Sequence, residues 1–239
     1  MSSNIPQQAA PPQYQMLDLI EQPGFGFGGG PALFMSDYGN MLFIHCPKTG
    51  GISFKKMMID IGPKIDPNCK LFIWPGLGHM SIKHSATVIE KEFKLTKQDY
   101  HIVSIMRNPF DWYVSRYLHF CSTQGLQANV DLSFKAYCTI ATARGRPWLS
   151  PYASFNMQTD WDQFWKGADT IIKFEHWFKE VSTLLKDQYN YDLKESQVPR
   201  NNVNSKKQDY RKYYSATLRE WVETTEKQVL KNTGYTFDG

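Results

Sequence analysis

No stretch of this 239-residue chain approaches the roughly 18 consecutive apolar residues that a membrane span needs. Its first fifteen residues, MSSNIPQQAAPPQYQ, have neither the basic flank nor the apolar centre of a secretory leader. Cysteine is scarce: four residues, at 46, 69, 121 and 138, form no C-x-x-C pair and have no histidine at zinc-site spacing, which excludes a disulfide framework and a structural zinc site. Charge of one sign is also lacking. The net charge of +4 is too small to argue for a nucleic-acid partner. No repeat is visible, and no acidic cluster has metal-ligand spacing. The expectation is a cytoplasmic protein in a reduced compartment, with no membrane span and no metal.

What is present is an ordinary globule's composition, 41% apolar and 21% charged, in 27.7 kDa. Residues 1–31 read as a flexible leader, proline-rich at first and then glycine-dense in GFGFGGG (24–30), and residues 32–239 read as a single domain. Uniformly apolar runs at 41–46, 70–74, 100–106 and 169–174 read as strands. Helical patterns alternate with them. Phe54, Met57, Met58 and Ile61 recur at helical spacing, with Gly62-Pro63 as the expected stop; a second helix starts at Ser81 with Ile82, Ala86, Ile89 and Phe93 on one face; a third opens at RNPFD, with Asn108 as N-cap and Pro109 at the first position. Apolar strands separated by helices imply an α/β fold: a central, mostly parallel sheet flanked by helices in three layers. Ligands collect at the carboxyl ends of such strands.

Two loops fall at those ends. In MLFIHCPKTGGISF, Gly50 and Gly51 let main-chain N–H groups close around an anion at a helix start, while Lys48, Thr49 and Ser53 add a cation and two hydroxyls. Walker A is excluded because Lys48 precedes the glycine pair instead of following it. A cysteine-phosphatase loop is excluded because Ile52 stands where the arginine should be. Cys46 is then a small buried residue. The second loop, IVSIMRNPFDWYVSRY, puts Arg107 at a strand end and Ser115 two turns into the next helix, where both suit a phosphate.

Together, PKTGG-x-S-F (Pro47 to Phe54) and R-x-P-x5-S-x-Y (Arg107 to Tyr117) resemble the PAPS-dependent sulfotransferases, and more closely their carbohydrate, Golgi-type branch that includes heparan sulfate 2-O-sulfotransferase. The resemblance extends weakly over about residues 41–237. It implies the P-loop-like sulfotransferase fold, the donor 3′-phosphoadenosine 5′-phosphosulfate (PAPS, leaving adenosine 3′,5′-bisphosphate, PAP) and transfer of a sulfuryl group to an acceptor hydroxyl, on a small molecule or a glycan. By that analogy Pro47, Lys48, Thr49, Gly50, Gly51, Ile52, Ser53 and Phe54 form the 5′-phosphosulfate loop, with Lys48 on the bridging oxygen. Arg107 and Ser115 take the 3′-phosphate, and Lys206, Lys207 and Arg211 are candidates for a basic segment over the nucleotide. Two positions depart from the family: Ile52, where threonine is frequent, and Trp112, where arginine is frequent.

Transfer needs a base for the acceptor proton, and histidine serves near neutral pH. His79, in PGLGHMS just after a strand end, is the best placed, and the resemblance puts the catalytic histidine there. His84 is the runner-up and His45 a supporting residue, while His101, His119 and His176 read as structural. On the acceptor side the candidates are His84, Trp112, Arg144, Arg146, Trp148 and Tyr152, because flat aromatic faces suit sugar rings. Two other readings stay open at this stage: a variant nucleotide kinase, and a member of the fold that binds nucleotide or glycan without turnover.

Overall fold

A computed structural model describes residues 16–17, 29–74, 79–142, 162–199 and 209–239. Four strands lie where apolar runs predict them: β3 (Asn40–Ile44), β4 (Lys70–Ile73), β5 (Tyr100–Met106) and β6 (Thr170–Lys173). Two more come from the region read as a leader and its edge, β1 (Met16–Leu17) and β2 (Ala32–Met35). The sheet order is β1-β4-β2-β3-β5-β6.

The pairing corrects the expectation of a mostly parallel sheet. β3–β5 and β5–β6 are parallel, but β2 runs antiparallel to both β3 and β4, and β1 antiparallel to β4. The cause is a hairpin. Asp37, Tyr38 and Gly39 turn the chain back, with Gly39 at φ +135°, and β2 is wedged between β4 and β3. The four expected strands nevertheless all point the same way, so their carboxyl ends share one edge of the sheet.

Alternation along the strands feeds two cores, one on each face. Met41, Phe43, Val103 and Ile105 pack against α1 (Gly51–Ile65) and α6 (Trp177–Tyr189). On the opposite face Leu42, Ile44, Ile102 and Met106 pack against α2 (Ile82–Phe93), α3 (Pro109–Thr123), α4 (Phe134–Thr142), the short α5 (Asp162–Trp165), α7 (Ala216–Thr225) and α8 (Lys227–Thr233). This is the three-layer α/β arrangement. Each strand interior is buried on both sides, which is why it reads as a continuous apolar run.

Helix starts follow their capping chemistry. The Ser81 hydroxyl accepts from the His84 N–H, and the Asn108 side chain accepts from the Phe110 N–H with Pro109 at the first position. The Gly62-Pro63 stop is overrun: α1 continues to Ile65, and the Asp66 N–H closes its end on the Gly62 carbonyl. Gly62 serves packing, since a β-carbon there would meet Phe34 at 3.0 Å and the Cys69 sulfur at 3.1 Å.

The C-terminal tail pins the start of α3. Glu175 accepts from the Asn108 N–H (2.8 Å) and from the Tyr235 hydroxyl (2.6 Å), and Asn108 Nδ2 donates to the Thr236 carbonyl (2.8 Å). The four cysteines are free and buried. Among the described residues no helix is long and apolar enough to cross a membrane.

Candidate active site

The loop after β3 is held open by backbone geometry. Lys48 sits at φ +63°, a left-handed conformation uncommon for a residue with a side chain, and Gly50 caps α1 at φ +82°. Thr49 is fully buried, and its hydroxyl donates to the Cys46 carbonyl at 2.8 Å, closing the turn. Glycine at 51 is obligatory: a β-carbon would fall 2.1 Å from His45 Cδ2. A side chain on Gly50 would come within 3.0 Å of the Phe174 ring. Both glycines are therefore set by packing against His45 and Phe174, and the first-turn N–H groups of α1, which have no partner inside the helix, are what the turn can offer an anion.

The second loop meets the first. Arg107, at the end of β5, donates from Nη1 to the Lys48 carbonyl at 3.0 Å and lies 4.5 Å over the Phe174 ring. Its Nε and Nη2 both reach Asp111 Oδ2, at 2.8 and 2.6 Å. Trp112, one residue on, is 5% exposed and donates from its indole to the Pro47 carbonyl at 2.7 Å. Expected on the acceptor side, Trp112 instead braces the anion loop from below. Phe54 is likewise core: it is buried and stacks on Phe43 with centroids 4.3 Å apart. Ile52, Ser53 and Ser115 are half-buried.

His79 stands across the mouth. Its Nδ1 is 2.7 Å from the His45 carbonyl, and since a carbonyl only accepts, Nδ1 carries the hydrogen and Nε2 is left with its lone pair. Burial, then the charges of Arg116, Lys55 and Lys48, push its pKa down to about 4, against the opposing pull of the His45 carbonyl. The imidazole is neutral at pH 7. Gly29 lies against it, where a β-carbon would come within 2.8 Å of Nε2. Lys48 is also held below the usual lysine range, by burial and by Arg107 and Arg116. Burial pushes the Cys46 thiol up, so it is no nucleophile.

A single likeness to a solved structure can be set beside this geometry. No family profile and no curated protein matches the chain. A crystal structure titled as a sulfotransferase from Alicyclobacillus acidocaldarius matches at 17% identity and a TM-score of 0.33, over 59% of this chain and 57% of that one. The match thus spans less than two thirds of that protein.

Two residues that sequence reasoning passed over belong to the site. Lys55 is fully buried in α1, and its Nζ donates to the Gly30 carbonyl at 3.0 Å; burial pushes its pKa down to about 7. A signal existed: Lys55 shares its stripe of α1 with Gly51 and Gly62, a stripe of close approach. Arg116 extends from α3 over the Trp112 ring, 5.4 Å away. Other candidates fall elsewhere. The His84 ring caps α2 through the Ser81 hydroxyl (3.0 Å), and Arg211 is paired with Asp209 and with the Asp238 carbonyl. His101 meets Thr170 across the sheet. Arg144, Arg146, Trp148, Tyr152, Lys206 and Lys207 lie outside the described residues.

Proposed function

We propose that this protein is a sulfotransferase that moves the sulfuryl group of PAPS to an acceptor hydroxyl, on a carbohydrate, without a metal. The observation that carries the reading is the junction of the two anion loops, where the Arg107 guanidinium rests on the Lys48 carbonyl opposite a neutral histidine. The residues fit the donor's chemistry. Gly50 and Gly51 leave backbone where a β-carbon would collide, and two cations border the same mouth. Thr49, Gly50, Gly51, Ile52 and Ser53 would hold its 5′ end, and Arg107 and Ser115 its 3′-phosphate. Bound there, PAPS supplies a sulfur that forms a bond to the acceptor oxygen as its bond to the 5′-phosphate oxygen breaks, leaving PAP.

The chain's own residues do the rest. His79 Nε2 accepts the acceptor proton, while Nδ1–H stays on the His45 carbonyl and fixes the ring's direction. Lys48 neutralises charge that develops on the departing phosphate, in a half-buried setting where that charge counts for more than in water. Saturation with PAP at about 100 times Kd should stabilise the fold by about 2.7 kcal/mol, read as a melting shift of several degrees. Labelled PAPS offered with a panel of saccharide acceptors, in chelator, should yield labelled product. A melting shift with ATP and magnesium but none with PAP would overturn the reading in favour of a nucleotide kinase.

A further inference from the structure

Arg107 contributes less positive charge to the mouth than its position suggests. Its Nε and Nη2 are spent on Asp111, and its Nη1 on the Lys48 carbonyl, so one of the two motif cations is largely offset by a carboxylate 2.6 Å away. A donor bearing two phosphates and a sulfonate needs more. Next to Asp111 on α3 stands Trp112, whose buried indole adds no charge. One helical turn on, at i+4, the same face of α3 carries Arg116, whose guanidinium stacks on that indole.

The stacking matters because of what the indole is attached to. Trp112 is buried and hydrogen-bonded to the Pro47 carbonyl, so Arg116 rides on a plate fixed to the anion loop itself. Its charge is felt at Cys46 and Lys48 in that loop, at His79 across the mouth and at His119 on the next turn. Its side chain also meets the Tyr137 hydroxyl of α4, which holds it from behind. It is half-buried.

Resting on the sulfotransferase reading, the geometry points to Arg116 as the cation that meets the oxygens of the transferring sulfuryl group. Ser115 and the two Arg107 N–H groups that Asp111 and the Lys48 carbonyl do not take then hold the part of the donor that does not move, and Lys48 with Arg116 brackets the sulfur between leaving phosphate and incoming hydroxyl. In the step itself the acceptor O–S bond forms, the phosphate O–S bond breaks with its electron pair going to PAP, and the proton passes to His79.

The test compares two ligands that differ only in that group. Calorimetric Kd values for PAPS and for PAP are measured on the intact protein and on Arg116→Gln. Loss of a charge-assisted contact should weaken PAPS by about 10- to 100-fold while PAP, which lacks the sulfuryl group, changes little. Turnover should fall by a further factor, about 10²-fold in kcat, because the contact tightens as charge develops. Equal weakening of both ligands, or of neither, overturns the inference. Should Arg116→Gln not fold, Arg116→Met, whose stem still packs on Trp112, is judged by the same ratio. Wild-type protein that binds neither ligand overturns the sulfotransferase reading and this inference together, whereas wild-type binding of both with a variant that keeps the preference for PAPS overturns the inference alone.

Discussion

The two walls of the mouth are built on opposite plans. One, the Pro47–Gly51 loop with the start of α3, carries the positive charge and is cross-braced by side chains that reach main-chain carbonyls: Thr49 on Cys46, Arg107 on Lys48, Trp112 on Pro47. The other wall is His79 with Gly29 and Gly30, where the neutral imidazole bonds to the His45 carbonyl and Lys55 donates to the Gly30 carbonyl. Burial first, and then the charges of Arg116, Lys55 and Lys48, keep the histidine neutral. An anion in the mouth would reverse that field. The histidine's affinity for a proton would rise with it.

The sharpest way to separate the walls is His79→Gln. It should cost about 10²- to 10⁴-fold in kcat while PAP affinity, which depends on the charged wall, stays within a few-fold. In wild type the acid limb of kcat/KM should fall near pH 4, and the limb of kcat should lie at higher pH, because bound anion raises the histidine; the variant should lose both limbs. Coincident limbs would mean that the walls do not communicate. Gly30→Ala attacks the neutral wall through packing. Its β-carbon would fall 2.0 Å from the Trp74 carbonyl oxygen, so a loss of about 1–3 kcal/mol is expected in denaturant unfolding.

Lys55 links the walls, and its titration gives a smaller signature. Burial holds its folded pKa near 7, below the unfolded lysine, so between those values the unfolded chain binds the extra proton and stability rises with pH. The melting temperature should climb from pH 7 to about 8.5, by no more than about 1.4 kcal/mol per pH unit. Higher still, the buried Cys46 and Cys138 thiols, which stay protonated when the unfolded chain's ionise, turn the slope downward. Lys55→Met should flatten the climb. Trp112→Phe is expected to do least, about 1 kcal/mol for the lost bond to Pro47, with PAP binding weakened more than His79 chemistry.

Much of this was legible in the chain. Apolar runs located four strands because both faces are covered, and the Gly50-Gly51 pair marked the turn from β3 into α1, where Gly50 caps the helix at φ +82°. The hairpin strand Ala32–Met35 was hidden by the glycine-dense segment before it, although Asp37-Tyr38-Gly39 is turn chemistry, and missing it turned a mixed sheet into a mostly parallel one. Lys55 and Arg116 were not legible for a different reason. Their roles depend on what faces them, the Gly30 carbonyl 25 residues away and an indole tied to another loop, and helical spacing alone carries no record of either.

The tail that pins Asn108 reaches across 128 residues of chain. A chain cut before Tyr235 would keep both loops and every side chain on them yet lose the clasp that seats the Arg107 turn, so the start of α3 should loosen although none of its own residues had changed.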